Sequence, residues 1–477
     1  MNAFKNFLTQ MFPVFSDVVE AIADAGGTAY LVGGAVRDLI LGIGVKDIDI
    51  EVHGLSLEKL DGVLKKFAKP LHVGKQFGVI KTNFKTVNID WSIPRRDSSG
   101  RKPEVEFVPD MSLKDAMQRR DLTMNAMAID LGKLDGATSI EKIIEDPWDG
   151  LADIKKRKLR AVDDKKFLED PLRFFRVMQF AARFEMAPCD GLDALCKTME
   201  LASLASERIT EELVKLFTLS KHPSLGFRWL KKIGRLDEFF PEVAQLESVE
   251  QNPKCHPEGD AFEHTMQVLD VAGSLKIGNG ITDVRSSQEK LWLTLSSLCH
   301  DVGKFSTVDE GLHTHGHEKE GVPVTKDLLN RFDFGEKLVK KVVCAVRNHM
   351  MPWALVFQNS GAKAYKRLAA RIHPHLSMRQ LGLVGLCDTS GRMPRDGQIP
   401  KDWDATCRLW TEKLKEFLKN AERANVVEAP EPPVVTGQHL LKFMKPGPAM
   451  GKALKKAYEI QIEEGIHDLD TLLSKIS

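Results

Sequence analysis

Between Phe4 and Ala25 apolar residues recur at helical spacing, which predicts an N-terminal helix with one buried face. Gly26 and Gly27 stop it, and Ala29-Tyr30-Leu31-Val32 then reads as a short buried strand. Strand-like runs recur at Ile48 to Val52, Gly78 to Thr82, Val87 to Trp91 and Val105 to Val108. This mixture predicts an α+β head with a mixed sheet over residues 1–140. From Asp149 to about Phe240 strand signals give way to helical periodicity, so an all-α neck is expected over 141–250. Residues 251–425 also read as all-α. Three prolines fall within Glu428-Ala429-Pro430-Glu431-Pro432-Pro433, which marks a linker or turn. A helical tail over 426–477 follows, broken at Pro446-Gly447-Pro448. No solenoid-type repeat or low-complexity tract is present.

Composition narrows the class. A chain of 477 residues suits three or four domains. Hydrophobic residues at 43% and charged residues at 28% are ordinary for globular protein. Lys plus Arg (68) balances Asp plus Glu (67), which excludes a strongly basic nucleic-acid coat protein but leaves room for a local basic face. No apolar run reaches the ~20 residues of a membrane helix, so no membrane partner is expected. Met1 to Pro13 has one Lys and no long apolar core, unlike a secretory signal. Seven scattered cysteines without a CxxC pair suit reduced thiols and a cytoplasmic location.

Candidate chemistry starts at Leu31-Val32-Gly33-Gly34-Ala35-Val36-Arg37-Asp38, which reads as strand, glycine turn and helix start. Gly33 and Gly34 let backbone N–H groups approach a phosphate, and Arg37 can hold a further phosphate oxygen. Asp47 and Asp49 stand two apart on a strand, so both carboxylates face the same way. Two such carboxylates need a cation, and Mg²⁺ keeps positions open for triphosphate oxygens. Asp90, inside an apolar strand, is either a third carboxylate of this site or a strand-end turn residue.

Gly33-Gly34-Ala35-Val36-Arg37-Asp38 followed by Asp47-Ile48-Asp49 resembles the head of the class II tRNA nucleotidyltransferase and poly(A) polymerase superfamily. Three further segments agree in order: Arg119-Arg120-Asp121-Leu122-Thr123-Met124-Asn125-Ala126, Glu169-Asp170-Pro171-Leu172-Arg173-Phe174-Phe175-Arg176, and Glu207-Arg208-Ile209-Thr210-Glu211-Glu212. The resemblance implies that Asp47 and Asp49 hold Mg²⁺, that it binds the triphosphate and activates the RNA 3′-hydroxyl, and that Arg37, Arg120 and Asn125 contact phosphates or sugar. It also implies a nucleotide-reading helix carrying Asp170, Arg173 and Arg176. Asp170 and Arg173 are three apart, the spacing of one helix face. A carboxylate accepts from an exocyclic amino group and an Arg fork donates to ring acceptors, so the pair suits ATP and CTP and rejects GTP and UTP. Lys155, Lys156, Arg157, Lys158, Arg160, Lys165, Lys166 and Arg183 surround this segment, either as a path for an RNA backbone or as a solvated face.

Seven of the fourteen histidines lie between positions 256 and 349. Imidazoles with an adjacent acid are ligands for a divalent metal, which lowers the pKa of water for phosphate-ester hydrolysis. The order of His264, His300-Asp301 and Asp388 resembles an HD-type phosphohydrolase domain. On that resemblance these four would ligate the metal directly, as Ni, Mn, Fe, Co or Mg²⁺. His317 and His349 would assist or hold a second metal, and Lys304 would meet the substrate phosphate. His313 and His315 read as ordinary surface imidazoles.

Head, neck and HD domain in this order resemble the bacterial multifunctional CCA-adding proteins. The expectation is template-independent addition of CCA to the tRNA 3′ end from CTP and ATP, with an appended phosphatase or 2′,3′-cyclic phosphodiesterase, in a monomer or homodimer. Rival readings are a CC-adding, A-adding or poly(A)-making enzyme of the same superfamily, or an RNA-binding HD hydrolase with an inactive head. The polar stretch Ser92 to Pro103 is either a loop that switches C to A addition or a solvated hairpin.

Overall fold

The N-terminal helix forms as the periodicity predicts. A helix over Asn2–Asn6 passes through a π-helical turn at Phe7–Met11 into helix α1 (Phe12–Asp24). Phe15, Val18, Val19 and Ile22 are its buried stripe. The chain is described here from a computed structural model, covering all residues except 1, 46, 74–77, 85–86, 98–104, 203, 254, 395–402 and 477. It divides into two compact units, Met1–Leu204 and Ala205–Ser477.

The first unit is built on a seven-stranded mixed sheet. Its strands are β1 (Thr28–Val32), β2 (Ile48–His53), β3 (Leu71–Val73), β4 (Val79–Phe84) and β5 (Val87–Ser92), with two more from further along the chain. Arg95–Asp97 (β6) and Val105–Phe107 (β7) pair only with each other, so the predicted run at Val105 belongs to a separate hairpin. The tip of the Ser92 to Pro103 stretch lies outside the described residues. Ala128–Asp130 (β8) and Ile144–Glu145 (β9) complete the sheet in the order β3-β4-β5-β2-β1-β8-β9. β2 and β5 run parallel, with Asp49 opposite Asp90. Alternation sets the two faces: Ile48, Ile50 and Val52 on β2 and Val87, Ile89 and Trp91 on β5 are buried. The carboxylates take the other face.

Helix α2 (Gly34–Ile40) follows β1 directly. The neck region is not wholly helical. Lys158–Leu159 and Ala187–Pro188 form a two-residue parallel ladder, too short for a periodicity signal. Between them runs helix α3 (Leu172–Phe184), buried along Phe174, Phe175, Val177, Met178 and Phe180.

The second unit is helical among its described residues, apart from an isolated bridge between Ile277 and Val284. Five helices matter for its chemistry: α4 (Ala261–Ser274), α5 (Ser287–Cys299), α6 (His317–Asn330), α7 (Glu336–Asn348) and α8 (Met378–Ser390). Side chains cap α4, α5 and α8: Asp260, Ser286 and Ser377 accept from the N–H groups of Glu263, Glu289 and Gln380. The tail helices, Gly437–Leu440, Pro448–Glu464 and Leu469–Ile476, enclose a small core of Val435, Leu440, Met450, Ala457 and Leu472. No helix among the described residues is long and apolar enough to cross a membrane.

Candidate functional site

The first site assembles on the polar face of β2 and β5. Asp49 and Asp90 lie side by side on neighbouring strands, and Asp47 sits just ahead of β2. Lys81 on β4 reaches Asp90 Oδ2 at 2.8 Å. Partial desolvation raises the Asp49 carboxyl above its ordinary value, with Arg120 opposing and Asp90 and Asp47 adding their repulsion. Neighbouring carboxylates of this kind fit a divalent cation, which would relieve the repulsion on Asp49. Among the described residues, the groups of three donor side chains converging within 4.8 Å all lie in the second unit. Asp47, Asp49 and Asp90 are not among those groups.

The glycine turn follows β1, at the end of the sheet where the paired strand β2 begins. Gly33 has φ of +72°, and a Cβ there would fall 2.7 Å from Arg120 Nη1. Arg120 therefore lies against the bare backbone of the turn. Burial lowers its pKa, while Glu51 and Asp49 support its charge. Glu51, two residues past Asp49, is 0% exposed and meets His53 Nε2 at 3.2 Å and Arg119 Nη2 at 3.3 Å. Arg37 is committed inward. Its Nε and Nη2 donate to Asp38 Oδ1, its Nη1 donates to Asn125 Oδ1 at 2.8 Å, and the guanidinium stacks on Phe184 at 4.6 Å. Asn125 in turn donates to Asp121 Oδ1 at 2.9 Å, and Arg176 Nε donates to Asp121 Oδ2 at 2.6 Å. Arg37, Asn125 and Arg176 thus belong to one buried network joining α2 to α3.

Asp170 and Arg173 do not share a helix as their spacing suggests. Pro171 caps α3, so Asp170 stands ahead of the first turn, where its Oδ1 accepts from the Leu172 N–H at 3.2 Å. Arg173, inside the first turn, donates from Nη1 and Nη2 to the carbonyls of Lys166 and Arg119. The guanidinium is thereby fixed from two sides. Lys155, Lys156, Lys158 and Lys165 are exposed, while Arg157 and Arg160 spend donors on Phe184 O, Asp153 and Trp148 O.

The second site gathers the histidine field around one carboxylate. Asp301 Oδ2 lies 3.1 Å from His300 Nε2, 3.6 Å from His264 Nε2 and 2.7 Å from Lys304 Nζ. Its Oδ1 lies 3.3 Å from His317 Nε2 and 3.9 Å from His349 Nε2. Asp388 Oδ1 is 3.2 Å from His264 Nε2 and accepts from Arg392 Nη2 at 3.2 Å. Helix ends supply this convergence: His300 caps α5, His349 caps α7 and His317 opens α6. Burial disfavours the Asp301 anion, but His300 and Lys304 outweigh it and hold the carboxyl well below the usual range. Burial beside His300 and His317 pushes the His349 imidazole down to about 4.

Proton bookkeeping tests the fit to a metal. The Nδ1 atoms of His300, His317 and His349 each lie within 2.8 Å of a backbone carbonyl, so each carries its hydrogen there. Their Nε2 lone pairs then face inward. His317 and His349 Nε2 are 3.2 Å apart, and His264 and His300 Nε2 are 3.3 Å apart. Facing lone pairs at that separation repel unless a shared proton or a metal ion lies between them, and a metal ion fits all of these donors at once. His313 and His315 stack on one another at 5.5 Å in an exposed loop, outside the cluster.

Sequence reading missed Glu51, His256, Glu258 and Arg392. Glu51 extends the alternation of Asp47 and Asp49, a signal that was available. Glu258 and His256 precede α4 without any periodic pattern, and their link to His264 exists only in three dimensions.

Comparison with known proteins finds likeness in both units. Residues 29–160 match the poly(A) polymerase head domain, 261–375 the HD domain, and 194–246 the "Probable RNA and SrmB- binding site of polymerase A". A multifunctional CCA protein of Pasteurella multocida is 35% identical over 381 residues, covering 76% of this chain and 84% of that protein. A solved CCA-adding enzyme with ATP covers 98% of this chain and 95% of its own at 19% identity, with a TM-score of 0.58. A Thermotoga maritima CCA-adding enzyme complexed with tRNA covers 97% of this chain and 94% of its own at 18% identity, with a TM-score of 0.54. These two solved structures establish likeness of fold.

Proposed function

The chain belongs to the family of multifunctional CCA proteins, and on that premise we propose that its first unit adds C, C and A to the tRNA 3′ end while its second unit hydrolyses phosphate esters. The observation that carries the first part is the parallel register of Asp49 with Asp90 on one sheet face beside the Gly33-Gly34 turn. Asp47 and Asp49 would hold Mg²⁺, with Asp90 completing the acidic face. Mg²⁺ bound there supplies charge neutralisation for the triphosphate and acidifies the attacking 3′-hydroxyl. The bare glycine backbone offers N–H groups to phosphate oxygens, and Arg120 adds a fixed cation.

Base choice falls to Asp170 and Arg173. Adenine and cytosine present an amino donor next to a ring acceptor, which a carboxylate and a guanidinium satisfy together. Guanine and uracil present a carbonyl where the carboxylate needs a donor, and the unpaired group costs kcal-scale energy. The carbonyls of Lys166 and Arg119 hold the guanidinium in place without a nucleic-acid template. Exposed Lys155, Lys156, Lys158 and Lys165 supply cations for an RNA backbone. Such chemistry on tRNA belongs in the cytoplasm.

In the second unit His264, His300, Asp301 and Asp388 would hold a divalent metal, with His317 and His349 at a second position. The metal would be Ni, Mn, Fe, Co or Mg²⁺ and would supply Lewis-acid activation of water. Lys304 and Arg392 place two cations beside these ligands, suited to a phosphate.

Asp49→Asn tests the reading. Incorporation of CTP and ATP into tRNA is expected to fall by at least about 100-fold, with metal-dependent hydrolysis of a 2′,3′-cyclic nucleotide retained. Undiminished incorporation would contradict it.

A further inference from the structure

Four imidazoles point Nε2 toward Asp301, and one of them is tethered differently. His300, His317 and His349 each fix Nδ1 on a backbone carbonyl three residues back. His264 has two acceptors at Nδ1: the carbonyl of Gly391 at 3.0 Å and Glu258 Oε1 at 2.8 Å. Glu258 is 0% exposed. The same Oε1 lies 2.8 Å from His256 Nδ1, and Oε2 has no hydrogen-bond partner among the described residues. The two imidazoles meet edge to face at 4.9 Å.

A carboxylate buried this deeply needs a reason. No Lys or Arg forms an ion pair with it among the described residues; imidazole N–H donors reach it directly, and the Arg392 guanidinium supports its charge from further away. Both neighbours of His264 Nδ1 are acceptors. In the neutral ring, the form that ligates a metal, the proton therefore sits on Nδ1, which leaves Nε2 as a lone pair directed toward His300 Nε2 and Asp388 Oδ1, 3.3 and 3.2 Å away. An anion on Nδ1–H also pushes electron density toward Nε2, making it a stronger donor to a cation.

We propose that Glu258 is a positioning residue for the metal centre: it locks the tautomer and ring plane of His264. Glu258 does not itself reach the Asp301 carboxylate in this arrangement; it acts through His264. The inference rests on the metal reading of the histidine field. Glu258 thereby joins the centre from the loop before α4, although it does not belong to the sequence pattern that revealed it.

The test is Co²⁺ binding to the full-length chain after chelator treatment, read by the visible absorption of Co²⁺ and by its hyperfine-shifted exchangeable N–H resonances. Wild type, Glu258→Gln and His256→Ala are compared, with CCA addition by each as the measure of an intact chain. Glu258→Gln keeps the shape but loses the anion; its Co²⁺ affinity is expected to drop about 10- to 100-fold, with one imidazole N–H resonance displaced. His256→Ala leaves the Glu258–His264 bond in place and is expected to bind Co²⁺ as wild type does. Wild-type affinity and resonances in Glu258→Gln would overturn the proposal. Equal losses in both variants would overturn it too, since they would report packing alone. If Glu258→Gln does not fold, Glu258→Asp carries the test: a retracted carboxylate should shift the same resonance, and an unchanged spectrum overturns the proposal. Absence of Co²⁺ binding by wild type would instead refute the metal reading beneath it.

Discussion

Asp121 shows how much of this site depends on single buried charges. Its Oδ1 accepts from Asn125 Nδ2 and the Leu122 N–H, and its Oδ2 accepts from Arg176 Nε. Burial alone would raise its pKa. Arg176, Asn125 and Leu122 outweigh burial and bring it to about 2. A folded-state pKa below the unfolded value stabilises the fold at pH above the unfolded value. That contribution disappears as pH falls from about 4 through about 2 and amounts to about 2 kcal/mol. Denaturant unfolding of wild type should lose this stability over that window, whereas Asp121→Asn should lack that part of the slope. Superimposable pH profiles would show that the network contributes no linked stability. If Asp170 reads the base as proposed, Asp170→Asn should weaken discrimination against UTP and GTP more than it weakens turnover with CTP. Misincorporation assays on tRNA would measure it, and unchanged discrimination would remove Asp170 from base reading.

At the level of elements, the glycine turn and the acidic strands were legible because their signals are local. A period of two puts Asp47 and Asp49 on one face, and a Gly-Gly pair between strand and helix marks the turn. The register of Asp49 with Asp90 was not legible, because parallel strands pair across a long crossover that no local pattern encodes. β8 and β9, three and two residues long, carry too little alternation to be seen. Asp170 and Arg173 were legible as a pair but misplaced by one element boundary, since Pro171 starts α3 after Asp170. In the second unit the count of histidines was informative, yet His264, Asp301 and Asp388 come from three separate segments, and only packing brings them within bonding range. The turn yields a direct prediction. Gly33→Ala imposes a Cβ at positive φ, costing about 1–2 kcal/mol, and drives that Cβ toward Arg120 Nη1. KM for both CTP and ATP should rise together in steady-state assays; a change for one nucleotide alone would assign the turn to base choice instead of phosphate binding.

On the proposed reading, two phosphate chemistries share one chain while using separate donor sets. Hard carboxylates would serve the first and imidazoles with a central Asp the second, so their metal demands should differ. After chelation, Mg²⁺ alone should restore nucleotide addition. His300→Ala should abolish cyclic-phosphate hydrolysis and leave addition intact; joint loss of both activities would contradict separate centres. The central claim is that one pocket builds C, C and A without a template. Sequencing the products formed from tRNA transcripts lacking CCA, incubated with all four nucleoside triphosphates and Mg²⁺, tests it most directly. Ends reading CCA, without G or U, are expected; ends without any added C would contradict the account.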